Sequence, residues 1–191
     1  QYDVTQLTLF EGSTVTDCGP ASSSVGPFYC PADAHVFIDL GFFRELATRF
    51  EAPGDFAQAY VIAHEFGHHV QNLLGTSGQV HDAQQANAEN ANELSIRLEL
   101  QADCYAGAWG NSVKTGDVDA GDVVLEEGDV GEGIAAATAV GDDRLQREAT
   151  GRINQETWTH GSSEQRVHWF NVGFESGDPD DCDTFSAADL G

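Results

Sequence analysis

Residues 55–75 read DFAQAYVIAHEFGHHVQNLLG, and the spacing of their apolar positions organises the rest of the chain. Phe56, Ala59, Tyr60, Ala63, Gly67, Val70 and Leu74 recur at intervals of three and four, the period of a helix with one face on a core. Asp55 stands where an N-cap belongs and Gly75 where a C-cap belongs. Because the stretch is apolar around much of its circumference, it predicts a helix near the centre of the molecule. Inside it lies HEFGH. Residues four apart on a helix differ by about 40° around the axis and about one turn along it, so His64 and His68 face the same way. Two neutral imidazoles so placed can bind one Zn²⁺, and Glu65 can reach a water on that ion as a general base. The pattern points to hydrolysis of a peptide bond.

A catalytic zinc site needs a third protein ligand, with the fourth position left to water. One arrangement places a third histidine six residues after the second, in HExxHxxGxxH above a methionine turn. Here Gln71 stands in the glycine position, Leu74 stands in the histidine position, and the chain has no methionine, which excludes that class. The other arrangement takes a carboxylate from a later helix, and RLELQADCYAGAW at 97–109 supplies one. Glu99 and Asp103 share a helical face, so Glu99 can ligate the metal while Asp103 accepts a hydrogen bond from the far nitrogen of a ligating histidine. His64 is the expected recipient by analogy with zincins. A solvated acidic pair is the bland reading of any ExxxD, but Leu98, Leu100, Ala102 and Tyr105 around this one argue that it is half-buried.

These two stretches, with GPFYCPAD at 26–33, AVGDDRLQ at 139–146, THGSSEQRVHWF at 159–170 and FESGDPDDCDTF at 174–185, resemble the neutral zinc metallopeptidases of bacteria, the YpfJ type. The resemblance covers nearly the whole chain, is far more specific than HExxH alone, and shows no departure at the metal-binding positions. It implies a zincin-like metalloprotease core, often preceded by a membrane anchor and exported. The fold expected is therefore α+β and mostly helical, a single domain over residues 1–191 with a small sheet beside the HExxH helix.

Composition narrows the partners. The net charge is −24, from 32 acidic residues against 8 basic ones with Lys114 the only lysine. Such a surface repels phosphates and offers no basic cluster, so no nucleic-acid partner is expected; a peptide or protein substrate is expected from HEFGH. Apolar runs are broken well before the roughly 18 residues of a membrane span. The opening QYDVTQLTLF shows no basic, apolar leader, so either the chain is cytosolic or a leader or anchor is missing from its N-terminus. Cys18, Cys30, Cys104 and Cys182 form no CxxC pair, and four cysteines permit three disulfide connectivities. Cys18 and Cys30 flank a Gly/Pro/Ser-rich loop that could close on itself, leaving Cys104 to tether the late segment through Cys182. With both bridges formed, the protein would work outside the reducing cytosol, secreted or anchored to the outer face of the membrane.

Elsewhere, residues 1–34 read as irregular with one strand near Leu7–Phe10, and HVFID predicts a strand at 35–40 ended by Gly41. Helices are expected at about 42–50, 91–113, 129–141 and 162–175, the last with the capping-box pair Ser162 and Gln165. Residues 76–90 read as a surface connection. Asp117, Asp119 and Asp122 lack the order of a calcium loop, which leaves calcium a minor alternative for 116–133.

Of the other histidines, His69 points about 100° away from His68, and His35 and His81 have no partner pattern. Zinc peptidases commonly use a later side chain to stabilise the oxyanion. His160, in a loop before a capped helix, is the candidate, with His168 the alternative and Tyr105 and Arg166 weaker ones. The mechanism expected uses one zinc per chain on His64, His68 and Glu99, with Glu65 as general base and His160 on the oxyanion. The strand at 36–39 is expected to offer its edge to an extended peptide. Two other classes are a catalytically silent zincin-like metal-binding module in an exported interaction protein, and a calcium-dependent acidic interaction protein. Retention of Glu65 argues against the first.

Overall fold

The computed structural model describes residues 2–115 and 125–191. In chain order the elements are β1 (Gln6–Phe10), β2 (Ser13–Thr16), β3 (Gly19–Ser22), β4 (Phe28–Cys30), β5 (His35–Asp39), α1 (Leu40–Thr48), α2 (Asp55–Leu74) and α3 (Thr76–Ala86). They continue as α4 (Ala91–Thr115), α5 (Asp129–Ala139), α6 (Asp142–Thr150) and α7 (Ser163–Ser176). This is a mostly helical α+β chain with a small sheet.

β5 is the central strand of three, parallel to β1 and antiparallel to β4, while β2 and β3 pair as a separate hairpin. Both faces of β5 are covered: Val36 and Ile38 are fully buried, and Phe37 on the opposite face packs with Phe10, Phe28 and Cys30. Gly41 does not end the strand. The buried Asp39 ends it instead, accepting a hydrogen bond from Gly41 N and so turning the chain directly into α1.

α2 lies at the centre as its periodicity requires, packed against α4, α5 and the sheet. Its N-cap is Gly54 rather than Asp55, and the backbone N–H of Phe56 donates to Glu132 of α5. Gly75 closes it in the left-handed conformation. α4 and α7 pack at Gly107 and Gly173, each seated against the backbone of the other helix. A Cβ on Gly173 would fall 1.9 Å from the carbonyl oxygen of Cys104, so the two backbones touch without side chains between them.

Three further expectations are corrected. Residues 1–34 hold β2, β3 and β4 beyond the expected strand; β2 and β3 alternate only between exposed and half-buried positions, too weak a contrast to read. Residues 76–86 form a helix that buries only Val80, so no apolar stripe announces it. α6 has no counterpart in the sequence reading, because DDRLQREAT offers Leu145 as its one large apolar residue. The capping box at Ser162 and Gln165 forms as expected. The calcium alternative rests on Asp117, Asp119 and Asp122, which lie outside the described residues.

Disulfides join Cys18 to Cys30 and Cys104 to Cys182. No helix among the described residues is long and apolar enough to cross a membrane.

Candidate metal centre and its cleft

α2 meets α4 at Gly67, where a Cβ would lie 3.1 Å from the Cα and carbonyl oxygen of Ala102. That approach brings the HEFGH face onto the Glu99 face. His64 Nε2 stands 3.2 Å from Glu99 Oε2, and His68 Nε2 stands 3.4 Å from Glu99 Oε1. One donor atom from each residue lies within 4.8 Å of the other two. The set fits zinc on its own chemistry: two imidazole nitrogens and a carboxylate converge, and three protein donors leave a tetrahedral cation one position for water.

Both rings are held from behind. His64 Nδ1 donates to Asp103 Oδ1 at 2.8 Å, as anticipated. The fully buried Asp103 also accepts from Tyr60 Oη and, in a two-pronged contact, from Arg166 Nε at 2.8 Å and Nη2 at 2.9 Å. His68 Nδ1 lies 2.8 Å from Gln71 Oε1.

Charges follow this geometry. Burial works to raise Asp103, but Arg166 and His64 outweigh it and hold the carboxyl below its ordinary range. Burial pulls His64 down, and the Asp103 carboxylate more than reverses this, pushing the ring up to about 10. Glu99 is likewise held low by His68 and His64 against the effect of burial. Glu65 goes the other way: burial raises it, and the two histidines only partly counter that.

His160 shares the cleft wall with these groups. Its Nδ1 lies 3.2 Å from Asp142 Oδ1, while Asp142 Oδ2 accepts the backbone N–H groups of Thr159, His160 and Gly161 at 2.7, 2.7 and 3.1 Å. One carboxylate thus fastens the turn and orients the ring, and its hydrogen bond raises the His160 pKa.

The structure brings His64, Glu65, His68, Glu99, Asp103 and His160 together. It places His168 elsewhere, edge-on to Trp169 and against Gly191, and Tyr105 in the cluster around Cys104. Arg166 reaches the cleft but is engaged with Asp103. His69 is a packing residue, bonded to Tyr29 Oη and the Asp3 carbonyl. Gln71, Tyr60 and Asp142 were missed. Gln71 carried a signal, since it follows His68 by three residues on one helix. Asp142 stood in the quoted AVGDDRLQ without a visible partner.

The cleft has a volume of about 950 Å³. Phe42, Phe50, Val140 and Leu145 line it, as do Asn72, His81 and Gln84. The expectation that β5 offers a free edge is overturned, because β1 and β4 occupy both its sides. The sheet strand that lines the cleft is β4, through Phe28 and Tyr29, and it stands at the sheet's edge.

The family model described as "Putative neutral zinc metallopeptidase" matches residues 1–185. An uncharacterized protein of Mycobacterium tuberculosis is 52% identical over 195 residues, covering 100% of this chain and 65% of its own length. The uncharacterized protein YpfJ of Escherichia coli is 51% identical over 185 residues, covering 96% of this chain and 62% of its own length. The chain thus spans 62–65% of the length of these relatives. No solved structure matches it.

Proposed function

Since the chain belongs to this neutral zinc metallopeptidase family, we propose that it is a zinc-dependent peptidase with a zincin-like core, built as one domain and working outside the cytosol. The observation that carries the reading is the convergence of His64, His68 and Glu99 beside the buried Glu65. His64, His68 and Glu99 would hold one zinc ion. When bound there, zinc supplies Lewis acidity that polarises a peptide carbonyl and acidifies a water.

Glu65 takes the proton of the attacking water and delivers it to the leaving amine. Its burial, which raises its affinity for a proton, suits a group that must hold one between two steps. His160, fixed by Asp142 at the cleft wall, donates to the carbonyl oxygen as negative charge gathers on it. Asp103 and Gln71 keep the two ligand rings turned toward Glu99. The edge of β4 pairs with the backbone of an extended peptide, and Phe42, Phe50, Val140 and Leu145 receive an apolar side chain. Export accords with two disulfides, which persist outside reducing compartments.

The test is metal analysis together with hydrolysis of an unstructured protein, with and without chelator. About one zinc per chain and chelator-sensitive cleavage are expected. Glu65→Gln should retain zinc and lose about 10²–10⁴-fold in turnover. His160→Ala should lose about 10²–10³-fold, and His168→Ala should match the parent. Undiminished cleavage by Glu65→Gln removes it from the mechanism, while zinc binding without any cleavage favours the silent module.

A further inference from the structure

The hydrogen bonds behind His68 do not stop at Gln71. Gln71 Nε2 donates to the Leu98 carbonyl at 2.7 Å and to Gln101 Oε1 at 3.1 Å, and Gln101 Nε2 donates to the Cys182 carbonyl at 3.0 Å. Gln71 is fully buried and Gln101 nearly so. A backbone carbonyl only accepts, so these two carbonyls decide which end of each amide is which. With its NH₂ on Leu98, Gln71 turns its oxygen to His68. Nδ1 must then carry a proton, which leaves Nε2, the nitrogen that faces Glu99, as the atom able to ligate a cation. Gln101, oriented by Cys182, takes up the second N–H of Gln71.

The far end of this relay is itself pinned. Cys182 is bonded to Cys104, the neighbour of Asp103 on α4. Around it the tail is clasped to α4, because Arg97 Nη1 donates to the Thr184 and Ala187 carbonyls and Thr184 Oγ1 donates back to the Arg97 carbonyl. Each link from the disulfide to His68 is a covalent bond or a direct hydrogen bond.

We propose that Gln71 and Gln101 are positioning residues that couple the cation affinity of the centre to the Cys104–Cys182 tether. The tether presents a carbonyl, Gln101 and Gln71 transmit its direction, and His68 is held in the tautomer that can ligate. The inference rests on reading His68 as a metal ligand. Without the relay, the ring is free to turn and to place its proton on either nitrogen, so part of the binding free energy goes into ordering it.

The experiment measures zinc dissociation constants by competition with a chromophoric chelator, for the parent chain and four variants. Gln71→Leu should weaken zinc binding by about 10–100-fold, and Gln101→Leu and the double variant Cys104→Ser/Cys182→Ser by about tenfold each. Phe10→Leu loosens the cluster of Phe10, Phe28, Phe37 and Cys30 without touching the relay, so it should lower the thermal midpoint and leave the zinc affinity at the parent value. A merely structural role for the glutamines predicts that affinity follows the midpoint in all four. Nitrogen NMR of the zinc-loaded protein supplies a second readout: His68 ligated through Nε2 with its proton on Nδ1 in the parent, and a mixture of the two ring orientations in Gln71→Leu. Gln101→Leu keeps the disulfide, so the test stands even where the double-serine chain fails to fold. Parent-like affinity in Gln71→Leu and Gln101→Leu overturns this inference alone. A parent chain that takes up no zinc overturns the metal reading and this inference with it.

Discussion

His64 sits between two carboxylates, with Asp103 on Nδ1 and Glu99 beyond Nε2. Burial disfavours its charged form, yet Asp103 raises it to about 10, so the ring carries both protons at neutral pH when no cation is present. A cation can bind Nε2 only by displacing one of them. The sign follows: the cation-free form holds the proton below pH 10 and the loaded form does not, so zinc affinity climbs as pH rises toward that value. About one proton should be released per zinc near pH 7, measurable by calorimetry in buffers of different ionisation enthalpy. Binding that releases none there would contradict the charge assigned to His64. Much of this centre was legible at the residue scale, because HEFGH and ExxxD each place their pairs on one helical face. Tyr60 and Arg166 on Asp103 were not, since Arg166 lies 63 residues from its partner and nothing local links them.

At the scale of elements, the α4–α7 contact fixes where Arg166 enters. A Cβ on Gly173 would meet the Cys104 carbonyl at 1.9 Å and Ala108 N at 2.8 Å, and backbone cannot yield as the end of a side chain can. Gly173→Ala should therefore destabilise by about 1–3 kcal/mol despite alanine's better helix propensity. Gly78→Ala in α3 meets nothing within 4 Å and should stabilise by about 0.4–1 kcal/mol. Urea denaturation of both variants checks the opposite signs, and equal shifts would mean that α7 does not rest on α4 backbone to backbone. The sequence patterns that worked here were an apolar stripe, in α2 and α4, short apolar runs between breakers, in α1 and α5, and a capping pair, in α7. α3 and α6 escaped because their sequences are polar nearly throughout, with Val80 and Leu145 as the one large apolar residue of each. Even so, both elements matter to the cleft, α3 by lining it and α6 by beginning with the carboxylate that orients His160.

For the whole molecule, charge could be read directly from composition, whereas the cleft could not, because it joins β4, α2, α3, α4, α6 and the loop holding His160. With 32 acidic residues and 8 basic ones, most surface carboxylates have no cation to face. Two of those basic groups are drawn inward: Arg166 is buried on Asp103, and Arg97 is occupied with the tail. Self-repulsion in a net charge of −24 opposes the compact state, and it acts over a Debye length of about 10 Å at 0.1 M salt but only about 3 Å at 1 M. Adding sodium chloride should therefore raise the thermal midpoint of the metal-free chain. The pairs Arg44–Glu11 and Arg144–Glu148, exposed or partly so, are weakened by the same screening, but such pairs contribute only about 0–1 kcal/mol each. Repulsion among the excess carboxylates is the larger quantity, so the midpoint should rise with salt in potassium chloride as well as in sodium chloride. A midpoint that falls steadily in both salts would show that the few ion pairs outweigh the excess negative charge.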